Sequence, residues 1–167
     1  LEYSIGFENG IKTRELTVVG PTARDVRGTT LQFYPDPSYF DTPDFSPAAI
    51  KMALKSKAVL CKGLVTTFFN EITEERLTWQ YDHGIDDYLN ENLKEKTLIF
   101  STPFTGEMAG EDIQISWAVN WTVESGQNPE ESYVNLIPTK LGGTHVNGFR
   151  SGLLESVREF CKFRNLL

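Results

Sequence analysis

Gly142-Gly143-Thr144-His145 sets two glycines, a hydroxyl and an imidazole side by side at the entry to an amphipathic pattern. Glycine permits positive φ and a threonine hydroxyl can satisfy a first-turn amide, so spacing alone reads as a flexible turn followed by a helix cap. Gly28-Thr29 offers a hydroxyl that both donates and accepts, able to bridge a carboxylate, a water and a purine edge; the ordinary strand propensity of threonine accounts for it equally. Arg150 is either a guanidinium suited to transient phosphate contact without base readout or one solvated charge on an amphipathic helix. No Ser or Cys nucleophile with a plausible base accompanies His145, which argues against triad or hydrolase chemistry. His83, His145, Cys61 and Cys161 are too scattered for zinc, and the cysteines read as reduced core thiols. Asp86-Asp87 and Glu130-Glu131 lack a second acidic cluster at useful spacing and read as solvated faces.

The elements that must position these residues follow from periodicity. Strands over 3–8 and 15–19 form a hairpin through the turn chemistry of Glu8-Asn9-Gly10. A loop over 20–28 leads into a strand over 29–34, which Pro35, Asp36 and Pro37 end. Ser46-Pro47 opens a helix that closes at Gly63, with Ile50, Leu54, Ala58 and Cys61 as its buried stripe and Lys51, Lys55 and Lys62 near water. Strands over 64–72 and 76–81 flank a Thr-Glu-Glu turn, with Leu77, Trp79 and Tyr81 on one face.

Beyond His83-Gly84 a shorter helix turns Ile85, Leu89 and Leu93 inward, and a Gly-, Thr- and Pro-rich loop follows. Residues 113–123 alternate most cleanly, with Ile113, Ile115, Trp117, Val119, Trp121 and Val123 on the core face. A hairpin connection over 125–131 is expected to bring 132–137 antiparallel to that long strand, until Pro138 ends it. A last helix carries Val146, Phe149, Leu153, Val157 and Phe160 as its stripe. A domain boundary is placed near Gly84, dividing 1–83 from 84–167.

Composition bounds the rest. With 167 residues, 40% hydrophobic and 12% aromatic, a packed core is within reach and disorder is not expected. A formal charge of −7 argues against a broad basic surface, so any nucleic-acid contact must be local. No apolar run approaches a membrane span of about 20 residues, no charged-then-apolar leader opens the chain, and a cytoplasmic location fits; the start at Leu1 suggests an excised fragment.

Beyond composition, ordered segments along nearly the whole chain carry a resemblance: FENG at 7–10, GTTLQFYPD at 28–36, KSKAVLCKG at 55–63, SYVNLIPT at 132–139, GGTH at 142–145, GFR at 148–150 and REFCKFRN at 158–165. The sequence resembles the ATPase subunits of bacterial type IIA topoisomerases, with wording nearer to the topoisomerase IV branch than to the gyrase branch. The resemblance implies an α+β fragment. Residues 1–83 would be the C-terminal half of a GHKL-type nucleotide-binding sandwich. Residues 84–167 would be the first part of a transducer domain with a left-handed βαβ crossover, against the usual handedness rule.

By the same resemblance Gly28 and Thr29 would support the adenine side of an ATP site. Gly142, Gly143, Thr144 and His145 would open the transducer helix that carries motion to the DNA gate, and Arg150 would face the DNA cavity. ATP and Mg2+ would serve the parent enzyme without binding tightly here. Its partners would be the DNA-cleaving subunit of topoisomerase IV, a second copy of the ATPase subunit on ATP-driven closure, and DNA by weak transient contact, in a bacterial cytoplasm with no membrane. The family's general-base glutamate, metal-binding asparagine, lid and Gln-Thr-Lys loop do not occur in this chain, so it is expected to hydrolyse no ATP alone. Two other readings stand beside this one: a non-enzymatic α+β interaction module, and a mismatch-repair or chaperone ATPase of the same superfamily, which should lack SYVNLIPT.

Overall fold

The computed structural model describes residues 1–124 and 130–166. The chain is α+β and divides into two compact units, Leu1–Ser46 and Pro47–Leu167. In the first, β1 (Glu2–Glu8) and β2 (Ile11–Gly20) form the expected antiparallel hairpin. Asn9 and Gly10 turn it with φ of 51° and 77°, the left-handed pair that matches strand twist. The expected strand over 29–34 does not form: those residues make no ladder, with Leu31 80% and Tyr34 83% exposed. Alternation shows that a segment fits a sheet, but its amides and carbonyls need a neighbouring strand, and none pairs with them here. Beyond it, Asp36 accepts from the amide and hydroxyl of Ser38, and Phe33 meets Phe45 edge-on at 5.3 Å.

The second unit opens with α1 (Pro47–Leu60), followed by antiparallel β3 (Thr66–Asn70) and β4 (Glu75–Trp79). The tight turn between the strands is held by Asn70, whose Oδ1 accepts from the amides of Ile72 and Thr73. α1 lies across β3 and β4 and touches α2 (Ile85–Asn92). Ala58 and Val59, 0% and 1% exposed, form the centre of the core with Tyr81, and Trp79, Ile85 and Tyr88 close around them. Phe68 and Leu93 are also buried. The predicted stripe therefore holds at Ala58, with Val59 buried still more completely than the flanking Ile50 and Leu54. Ion pairs tie the rim: Lys51 to Glu75 at 3.1 Å and Lys55 to Glu91 at 3.4 Å, while Lys62 reaches Glu107.

Two further strands form the surface against which α2 rests. β5 (Phe104–Ala109) pairs antiparallel with β6 (Gln114–Val119), although composition reads 104–109 as loop. Gly106 stands directly opposite Trp117, and a Cβ there would come within 2.5 Å of the indole. Only a glycine lets the ring lie flat over the neighbouring strand. The long strand expected over 113–123 stops at Val119; Leu98 then bridges to Thr122, and Phe100, Phe104 and Trp121 make a triangle of edge-on rings.

The expected pairing of 132–137 with that strand is replaced by a local one. β7 (Tyr133–Val134) pairs with β8 (Ile137–Pro138), with Pro138 as the last residue of the ladder. Asn135 and Leu136 make the turn with φ of 49° and 66°, a conformation costly for a bulky residue and invisible to alternation. The expected connection over 125–131 falls largely outside the described residues. The chain closes with α3 (Thr144–Phe163). Among the described residues no helix is long and apolar enough to cross a membrane.

Candidate functional site

The residues singled out as Gly142, Gly143, Thr144, His145 and Arg150 come together where the β7–β8 hairpin feeds α3. Thr139 closes the hairpin by donating its amide to the Ser132 carbonyl at 2.8 Å, and the two hydroxyls meet at 2.5 Å. Its Oγ1 also meets His145 Nε2 at 3.3 Å, so one short polar line fastens strand pair to helix. Gly142 donates to the Thr139 carbonyl at 2.9 Å with φ of 71°, which reverses the chain, and Gly143 follows in extended conformation. Thr144 is not the cap. Gly143 occupies that position without a side-chain bond, its carbonyl accepts from the Asn147 amide at 3.1 Å, and Thr144 is the first helical residue. The helix begins after the second glycine, which shifts the threonine hydroxyl out of capping reach.

Three contacts anchor this junction to the rest of the unit. Lys57 of α1 donates its Nζ to the carbonyl of Leu136 at the hairpin turn. Glu131 accepts from Tyr88 of α2 at 2.9 Å and from Tyr133 of β7 at 2.5 Å. Burial first, then these bonds to Glu131, raise both phenols above their ordinary pKa. Phe149 on α3 packs at 5.4 Å against Trp117 of β6.

Arg150 Nη2 lies 2.5 Å from Glu130 Oε2. The pair sits on the wall of an open depression of about 610 Å³ that also takes in Ser132, Thr139, Lys140 and the glycine turn. Glu130 and Glu131, read from sequence as a solvated face, are thus both engaged, one by an arginine and one by two tyrosines. Nothing in an adjacent Glu-Glu signals partners 20 and 43 residues away in sequence. Among the described residues no three of His, Cys, Asp and Glu gather as a metal site would require. The chemistry this place can do is polar contact with an extended anionic ligand, with Lys140 and Arg150 attractive and Glu130 opposed.

Gly28 and Thr29 belong to the other unit. Both are exposed, and a Cβ built on Gly28 would meet nothing within 4 Å.

The family model for DNA gyrase B matches residues 84–167. The B subunit of DNA topoisomerase 4 from Pseudomonas aeruginosa is 46% identical over 99% of this chain, which spans about a quarter (26%) of that protein. The topoisomerase IV ATP-binding domain of Francisella tularensis, solved with a small-molecule inhibitor, superposes with a TM-score of 0.74 at 33% identity, covering 96% of this chain and 42% of that one. The 43K ATPase domain of Thermus thermophilus gyrase B, solved with an aminocoumarin, gives 0.81 at 28%, covering 99% and 45%. With half its length matched by one family model and nearly all of it aligned to such relatives, the chain belongs to the DNA gyrase B family.

Proposed function

We propose that the chain is part of the ATPase subunit of a bacterial topoisomerase IV, and that its task is to couple ATP binding and dimer closure to DNA strand passage. The observation that carries this reading is the 46% identity, sustained over 99% of the chain, to a topoisomerase IV B subunit. Residues 1–83 are read as the C-terminal part of a GHKL nucleotide-binding domain. Residues 84–167 are read as the start of a transducer with a left-handed βαβ crossover; the family match opening at residue 84 supports a boundary there. In the complete protein, ATP and Mg2+ supply the free energy of closure. This chain's own residues orient and transmit.

The route runs from α1 through the Lys57 contact on the Leu136 carbonyl, and from α2 through Tyr88, Glu131 and Tyr133, into the hairpin. The Thr139–His145 contact and the Gly142-Gly143 turn pass it to α3, and Arg150 meets DNA. Gly28 and Thr29 support the adenine side. The partners are the DNA-cleaving subunit of topoisomerase IV, a second copy of the ATPase subunit, and DNA in transient contact, in the bacterial cytoplasm. The 167 residues alone hydrolyse no ATP.

The test is ATP-dependent decatenation by the complete gene product together with its DNA-cleaving partner. Linked circles should separate only when ATP and both proteins are present. The likeness to a gyrase structure favours one alternative, the B subunit of a gyrase. Negative supercoiling driven by ATP, in place of decatenation, would establish that alternative and remove the topoisomerase IV reading.

A further inference from the structure

We propose that Glu130 is an intramolecular stand-in for a DNA phosphate, holding the Arg150 guanidinium until a duplex displaces it and so weakening contact at this face. The inference rests on reading Arg150 as a DNA contact. Carboxylate and phosphate present similar paired oxygens to a guanidinium, so one can replace the other without rebuilding the site. The Arg150–Glu130 bond is short at 2.5 Å, yet the two side chains are 62% and 54% exposed, so water and salt compete with it and exchange is easy. The open depression of about 610 Å³ beside the pair leaves room for a phosphodiester, and Lys140 on the same wall adds a second cation.

The surrounding charge gives this competition weight. A chain of net charge −7 repels DNA at long range, so affinity at this face depends on which anion holds a few local cations. With Glu130 as resident anion, contact begins only when a duplex is held close enough to outcompete it. That suits a surface that must release DNA as readily as it touches it. When a phosphate takes Arg150, the freed Glu130 carboxylate gathers a cation, which offsets part of the counterion release that drives binding.

A double-mutant cycle tests it, on the complete gene product with a short DNA duplex followed by fluorescence anisotropy between about 50 and 200 mM salt, the range in which phosphate contacts are most salt-sensitive. Arg150→Gln should weaken binding several-fold. Glu130→Gln should tighten it about two- to fivefold at low salt, the scale of one exposed ion pair, and steepen the salt dependence by up to about one ion. In the Arg150→Gln background the Glu130→Gln change should lose that gain. If Glu130→Gln leaves affinity unchanged, or tightens it equally without Arg150, the stand-in role is wrong while the DNA contact survives. If Arg150→Gln binds like the parent, the DNA contact fails, and the stand-in role with it.

Discussion

Helices α1 and α3 are built on the same apolar periodicity and end in different environments. In α1 the stripe closes on β3, β4 and α2, leaving Ala58 0% and Val59 1% exposed. In α3 no side chain is buried; Val157 is 45% and Phe160 58% exposed, and the ring contact of Phe149 with Trp117 is its aromatic anchor. A 3.6-residue period specifies where a helix puts its apolar side chains. Whether that face is covered depends on what else reaches it. α1 is thus a structural keel, whereas α3 is held chiefly through Phe149 near its N-terminal end.

The sharpest way to break this comparison is to place the same charge on both stripes. Val59→Asp leaves an unpaired carboxylate in the core and should cost on the order of 4 kcal/mol or more, enough to unfold the second unit in a urea titration. Val157→Asp should stay within about 0.5 kcal/mol of the parent in the same titration. Equal losses would mean that α3 is as firmly seated as α1.

Next in size is the strand pair that carries Trp117, the ring against which Phe149 of α3 packs. Gly106→Ala drives a methyl to within 2.5 Å of the Trp117 ring unless the indole moves, at a cost of about 1–3 kcal/mol. Because Trp117 also holds Phe149, the loss should come with a change in tryptophan fluorescence; an unaltered melt and spectrum would show that the ring has another place to go.

A smaller effect separates the junction from the core. Tyr88→Phe removes one of the two phenol bonds to Glu131 and should cost about 1 kcal/mol, read by denaturation, with hydrogen exchange rising at the β7–β8 hairpin and not in α1. The bond from Tyr81 to Glu91, 2.5 Å long, makes the core side pH-dependent at both ends. The bond to Tyr81, followed by Lys55, depresses the Glu91 pKa in the folded chain. Its contribution is therefore full above the unfolded value near 4.3 and is lost as pH falls through the depressed value. Burial, then Glu91, raises the Tyr81 pKa, so that contribution is present below about 10 and drains away as pH rises beyond it. Tyr81→Phe should shrink the losses at both ends, and Glu91→Gln the acid one most.

The exposed face of α3 also predicts behaviour in solution. Leu154, Val157, Phe160 and Phe163 are 45–82% exposed, so the 167-residue polypeptide should self-associate in sedimentation as concentration rises. A strictly monomeric boundary at high concentration would contradict this, and Phe160→Ser should reduce association without altering the core melt.

Much of this was legible in the residues. Asn9-Gly10 marks its hairpin, Ser46-Pro47 and Gly63 bracket α1, Leu77, Trp79 and Tyr81 alternate inward, and the pattern of α3 starts beside the glycine pair. These signals are local: each lies within a few residues of the element it specifies. The misses share the opposite character. β5 is hidden because Gly106 weakens a strand until Trp117 from the partner strand covers it. Residues 29–34 carry strand character that no neighbour completes. The left-handed turn at Asn135-Leu136 follows from closure of the hairpin on Lys57 and Thr139, with no glycine to announce it.

The sequence by itself determined the periodic elements, the family and the residues worth watching at 142–145 and 150, because short-range sterics and side-chain spacing act within the segment that carries them. Only the tertiary structure decided that Glu130 holds Arg150, that Glu131 joins two tyrosines and that α1 is buried while α3 is not. Those outcomes depend on which groups from distant parts of the chain meet in space and exclude water from one another, and no local pattern encodes that.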